Sequence, residues 1–255
     1  MTSTSDEEAA RRLLEGYLRQ FLADATCTLV ASDPPDIACQ IGHEAWAVEV
    51  TRVNQLEVYE GNVKARVELD VPLMAFGNEL GECTRPGLSY LLLLQGPTSK
   101  AKWQAWKRTT RNLVERFVQS NVPGKLEFEG GSITARRDAR ANWSVAILPR
   151  DGAVTPNGAP SYDISANIDA MLRNALRKKA SRLARVTGYE RIGLVLLNTY
   201  FFGDDIDAIR QALKRVIHED SAFGIFDFLF YVSQAGFDLV FERQSGLFSP
   251  LSQAG

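Results

Sequence analysis

Residues 35–53 read PDIACQIGHEAWAVEVTRV, and the architecture of the chain is read outward from them. Ile37–Ile41 is a short β-prone run, Gly42-His43-Glu44 a tight turn and Ala45–Val53 a longer run, so the stretch predicts a hairpin. Strand alternation puts Trp46, Val48 and Val50 on one face and Ala47, Glu49, Thr51 and Val53 on the other. Glu49 is thereby set among small or apolar neighbours, where a bare carboxylate is costly and needs a partner. Asp36 opens the preceding strand. A divalent cation shared by Asp36 and Glu49 is one such partner, since magnesium favours oxygen ligands and often takes only one or two protein carboxylates.

Upstream, residues 5–24 predict an amphipathic helix. Ser5 and Glu8 give a capping-box pattern, and Leu13, Leu14, Tyr17, Leu18, Phe21 and Leu22 recur at helical spacing. Thr26–Ala31 is a short strand, interrupted by Asp33-Pro34-Pro35-Asp36. Downstream, residues 55–160 are less regular. They offer a buried strand at Ser89–Gln95, a helix at Ser99–Ser120, three strands at Lys125–Glu129, Ser132–Arg136 and Trp143–Leu148, and a Pro/Gly-rich loop at 149–162.

The pattern strengthens again from Ser165. A helix at Ser165–Val186, a buried strand at Ile192–Asn198, a helix at Asp204–Glu219 and strands at Phe226–Val232 and Phe237–Glu242 follow. The last two flank Gln234-Ala235-Gly236, and Phe248 stands in a small polar tail. Strands alternating with helices predict an α/β protein with a mixed central sheet flanked by helices. At 255 residues the chain is long enough to bury a sizeable core without staples. It reads as a single domain over 1–255, with a core at 5–54 and 163–244 and an α/β insertion at 55–162.

This order of elements, with Pro35-Asp36 and Glu49-x-Thr51, resembles the PD-(D/E)XK nuclease superfamily, the restriction-endonuclease-like fold. The resemblance rests on the first helix and the three strands to Val53, and extends more loosely over 165–242. It implies that Asp36 and Glu49 bind Mg2+ or Mn2+ and that the protein hydrolyses phosphodiester bonds. In that superfamily a lysine two residues after the glutamate helps activate the attacking water. Thr51 stands there in this chain, and would contribute a hydroxyl to a water in the site. Some branches carry the lysine on a neighbouring helix instead.

The helix at 165–186 offers a replacement by geometry. At about 100° per residue, Lys179 falls in the centre of a stripe formed by Ile168, Leu172, Ala175, Leu183 and Val186. Lys178 and Arg177 fall off it. A lysine on an inward face must snorkel out, or meet a buried carboxylate or an anionic ligand. Lys179 is therefore expected to be the displaced catalytic lysine, with Lys178 in reserve. Glu8 and Glu15 of the first helix are further acidic candidates, better suited to a solvent-facing role.

Net charge is −2, so nucleic acid is not bound through bulk charge. Two local basic helices are suited to a phosphate backbone. Lys107 and Arg111 represent one, and Lys178 and Arg182 the other. Trp103 and Trp106 are interleaved with the first set, at the i, i+3 spacing of a core-facing helix. DNA is the expected partner ahead of RNA. Members of the superfamily often act as homodimers, although no dedicated dimerisation segment is visible here.

His43 and His218 are the only histidines, and neither has a hydrolase motif around it. P-loop, dinucleotide-binding and HExxH motifs are absent. Three cysteines without CxxC spacing argue against a disulfide framework or structural zinc, with Cys39 a small core residue. With no apolar run of membrane-spanning length and no signal-like N-terminus, a cytoplasmic protein with no membrane partner is expected. Two functions follow from the sequence: a metal-dependent nuclease, or a catalytically inactive protein of the same fold that binds nucleic acid or protein.

Overall fold

A computed structural model describes residues 4–31, 34–199, 205–234 and 236–243. In chain order its elements begin with α1 (Thr4–Leu18), β1 (Thr26–Leu29), β2 (Ile37–Ile41), β3 (Glu44–Val53), β4 (Leu56–Tyr59), β5 (Asn62–Ala65) and α2 (Arg66–Leu80). Then come β6 (Leu88–Leu94), α3 (Trp103–Ser120), β7 (Gly124–Phe128), β8 (Gly131–Arg137) and β9 (Trp143–Ile147). The chain closes with α4 (Ile164–Leu183), β10 (Arg191–Asn198), α5 (Ile206–Glu219), β11 (Phe228–Ser233) and β12 (Gly236–Glu242). The protein is mixed α/β. It divides into two compact units, Met1–Gln55 with Ile164–Gly255, and Leu56–Asp163.

The first unit is built on a six-stranded sheet in the order β1-β2-β3-β10-β11-β12. β1, β2 and β3 form an antiparallel meander. β10 runs parallel to both β3 and β11, and β12 returns antiparallel. Alternation along the strands divides the apolar residues between two faces. Trp46, Val48, Val50, Val195, Phe228 and Phe230 pack with Leu14 and Leu18 of α1. Leu194, Leu196, Leu229 and Tyr231 pack with the apolar stripes of α4 and α5 on the other face. Gly193 of β10 lies opposite Phe228. A Cβ there would come within 1.9 Å of the phenylalanine ring, so only glycine lets these two strands approach.

The second unit lies in the chain between β3 and α4. Its sheet, in the order β7-β8-β6-β9, is covered by α2 and α3 through Leu73, Phe76, Leu92, Trp106, Val114 and Ile133. β4 and β5 form a separate hairpin. Its turn residues Glu60 and Gly61 both have positive φ, as a tight two-residue hairpin turn requires.

Several sequence expectations are corrected. The first helix ends at Leu18, not residue 24, because the chain tightens into 3-10 turns (Gln20 N–H to Tyr17, Phe21 N–H to Leu18) before entering β1. Helix α1 begins at Thr4, so Ser5 lies inside its first turn, and Glu8 binds Arg11 and Arg12 instead of closing a capping box. The region after Val53 is more regular than its pattern suggests, since β4, β5 and α2 occupy residues 56–80. Helix α2 was obscured by Pro72 in its interior and by apolar residues on both faces.

Cys27 and Cys39 form a disulfide. The β1/β2 register sets them directly opposite, with Cα atoms 4.2 Å apart and both side chains buried. Spacing rules for cysteines miss such a cross-strand pair, and the cysteine count carries no argument about compartment. Cys83 is free. No helix among the described residues is long and apolar enough to cross a membrane. Asp33, Asp204, Ala235 and Phe248 lie outside the described residues.

Candidate functional site

The site forms where the meander of the first unit meets α4. The β2/β3 register pairs Ile37 with Val48, so one step further along it Asp36 comes opposite Glu49. Both then point to the α4 face. Asp36 is fixed by the backbone: the Val50 N–H donates to its Oδ2 at 2.8 Å. Glu49 is fully buried.

Lys179 reaches the same point from α4, 130 residues further along the chain, and donates from Nζ to Oε2 of Glu49. The same ammonium lies 3.5 Å from Oδ2 of Asp36. The inward position expected from helical spacing is thus where the lysine sits, 6 % exposed. Oε1 of Glu49 is buried without a hydrogen-bond partner. Burial pushes the Glu49 carboxyl up to about 7; the Lys179 ammonium opposes this rise and the Asp36 carboxylate beside it reinforces it.

Two acidic side chains and one cation share this buried point. A hard divalent cation fits the donor set. Asp36 and Glu49 supply carboxylate oxygens, and the unpartnered Oε1 of Glu49 is a buried acceptor that a cation would satisfy. No group of three or more His, Cys, Asp or Glu side chains is placed to hold a metal ion among the described residues. Water and a substrate phosphate would complete the coordination.

The other candidates are distributed as follows. Thr51 is buried on the same strand face as Glu49, about 6.6 Å further along it at ordinary strand rise. Lys178 is exposed on α4, and Arg182 is half-buried. Arg182 lines an open cleft of about 460 Å³ together with Pro34, Pro35, Arg185, Val186, Thr187 and Tyr189. Pro35 precedes Asp36 directly, and Arg182 lies one helical turn beyond Lys179, so this cleft adjoins the charged cluster.

Lys107 and Arg111 belong to the second unit. Both stand over the Phe76 ring, and Arg111 is ion-paired with Glu79. Trp106 is buried with its indole N–H bonded to the Glu129 carbonyl, so it serves packing. Glu8 and Glu15 are engaged by Arg11, Arg12 and Arg19 along α1, on the opposite face of the sheet.

Sequence reasoning missed the Val50 amide, Arg185 and Tyr189. The register of the hairpin could have found the first, because Asp36 and Glu49 are equidistant from its turn. The cleft residues carry no local signal. No family model, curated protein or solved structure matches this chain.

Proposed function

We propose that this chain is a metal-dependent nuclease of the PD-(D/E)XK type, with its catalytic lysine moved from the strand to α4. The observation that carries the reading is the meeting of Lys179 with Glu49 and Asp36. The order α1, β1–β3, α4, β10 agrees with it, as does the position of the second unit between β3 and α4.

In this reading Asp36 and Glu49 hold Mg2+ or Mn2+. The bound ion supplies Lewis-acid polarisation of the phosphate and a more acidic water. Asp36 is kept in place by the Val50 amide, so little reorganisation accompanies the reaction. Lys179 orients the water and stabilises the charge that develops on the scissile phosphate. Thr51 adds a hydroxyl near that water. Arg182 and Arg185, in the cleft beside Asp36, receive the flanking phosphates of the strand. DNA is the substrate proposed first.

One observation favours the catalytically inactive alternative: Glu49 is fully enclosed and already paired with Lys179. In that case the pair is a structural element of a nucleic-acid- or protein-binding module. Cleavage of circular, linear and single-stranded DNA and of RNA, with Mg2+ or Mn2+, decides between the two. The nuclease reading expects cleavage that is lost in Glu49→Ala and Lys179→Ala while both variants remain folded. No cleavage of any substrate, with no metal uptake by calorimetry, would leave the binding module.

A further inference from the structure

Helix α2 is apolar on two opposite faces. Leu73, Phe76 and Leu80 are buried in the core of its unit. The outer face carries Val67, Val71 and Met74, which are 48, 60 and 37 % exposed, and Val63 just before the helix is 53 % exposed. These four exposed large apolar side chains fall within twelve residues, and no other stretch of that length among the described residues holds more than two. A helix apolar all round is ordinarily enclosed. A clustered apolar surface marks an interaction site, whereas scattered ones do not.

The spacing on this face says what kind of helix fits it. Val67, Val71, Met74 and Asn78 follow one another at intervals of four, three and four residues. This is the d-a-d-a seam of a two-stranded coiled coil. No charged residue falls on the seam. Asp70, at its margin, is already bound by Arg66 and Arg150. Asn78 is exposed and occupies an a position, where a lone asparagine fixes register by pairing with its own counterpart. Its amide both donates and accepts, so an identical amide across a two-fold axis satisfies it. That self-complementarity selects a second copy of this chain as the occupant.

We propose that two copies associate through their α2 helices, parallel and side by side, with Asn78 against its counterpart. The seam spans about three helical turns, less than the roughly 800 Å² per partner of a standard stable interface. The dimer therefore forms reversibly, in a concentration-dependent manner. The proposal is independent of the nuclease reading.

Sedimentation velocity and light scattering on the whole chain across a micromolar concentration series test it. A reversible monomer–dimer equilibrium is expected. Val71→Glu and Met74→Glu, both at exposed sites, should each weaken it at least about tenfold with unchanged circular dichroism. Val122→Glu, equally exposed at 60 %, should leave it intact. In a Cys83→Ser background, Asn78→Cys should form a disulfide-linked dimer when oxidised by copper-phenanthroline in air. A protein that stays monomeric throughout overturns the proposal. So does a dimer indifferent to both seam substitutions, or one in which Asn78→Cys does not cross-link.

Discussion

Lys179 of α4 donates its ammonium to Glu49 of β3 in the interior of the first unit, with Asp36 completing the cluster. Each group would be costly to bury alone, and each makes the burial of the other tolerable. Lys179→Ala leaves Glu49 and Asp36 without their cation and is expected to destabilise the protein by about 3–5 kcal/mol. Glu49→Leu combined with Lys179→Met should cost much less than the sum of the two single changes. Urea denaturation of the four proteins in the cycle measures this coupling, and additive costs would refute it.

The Glu49 carboxyl gives the protein a particular pH dependence. Burial raises its pKa from 4.5 to about 7. Between those values the folded protein keeps a proton that the unfolded chain has released. The stability from this group is therefore complete below about 4.5 and is lost as pH rises through about 7. Thermal midpoints in the presence of a chelator should fall with pH more steeply in the wild type than in Glu49→Gln. Parallel curves would show that Glu49 does not titrate in this range.

Metal binding by Asp36 and Glu49 should register as stabilisation even without substrate. A ligand at one hundred times its Kd contributes about 2.7 kcal/mol. The melting temperature is expected to climb with Mn2+ or Mg2+ concentration. Asp36→Asn and Glu49→Gln should each flatten that climb, while Lys178→Ala should not. A shift that persists in both carboxylate variants would place the ion elsewhere.

A second buried charge cluster holds the hairpin and α2 of the second unit together. The Arg150 guanidinium donates to Glu57 Oε2 at 3.1 Å, to Asp70 Oδ1 at 3.3 Å and to the Leu69 carbonyl at 3.0 Å. Arg150→Met strands Glu57 in the interior and is expected to cost about 3–5 kcal/mol. Arg150→Lys should recover little, because an ammonium cannot reproduce a forked set of three bonds. Denaturant midpoints of the two variants provide the check, and equal stability of Arg150→Lys and wild type would contradict it.

The Cys27–Cys39 bond closes a short loop between adjacent strands. Its removal in Cys27→Ser/Cys39→Ser should cost about 2–4 kcal/mol. Intact-mass measurement with and without reductant tests the bond itself: the oxidised protein should be lighter by two hydrogens. An unchanged mass would show two free thiols.

Local chemistry was enough to establish much of this protein. Alternation in AWAVEVTRV put Glu49 on the face opposite Trp46, Val48 and Val50, and the structure has it there. Helical spacing put Lys179 in the apolar stripe of α4, where it is buried among Ala175, Leu176 and Leu183. Period-2 and period-3.6 patterns are properties of the backbone, so they can be read without knowing the fold. Helix α2 escaped that reading because a helix with two apolar faces has no single period to detect.

Tertiary structure decided what lies across from what. The parallel pairing of β3 with β10 and the packing of α4 on that sheet carry Lys179 over 130 residues of chain to Glu49. The β1/β2 register brings Cys27 to Cys39, and chain entry into β2 aims Asp36 at the Val50 amide. Sequence pattern says which way a side chain faces. Only the assembled sheet and helices say what it meets, because such contacts depend on strand order and register, set by burying the whole apolar surface at once.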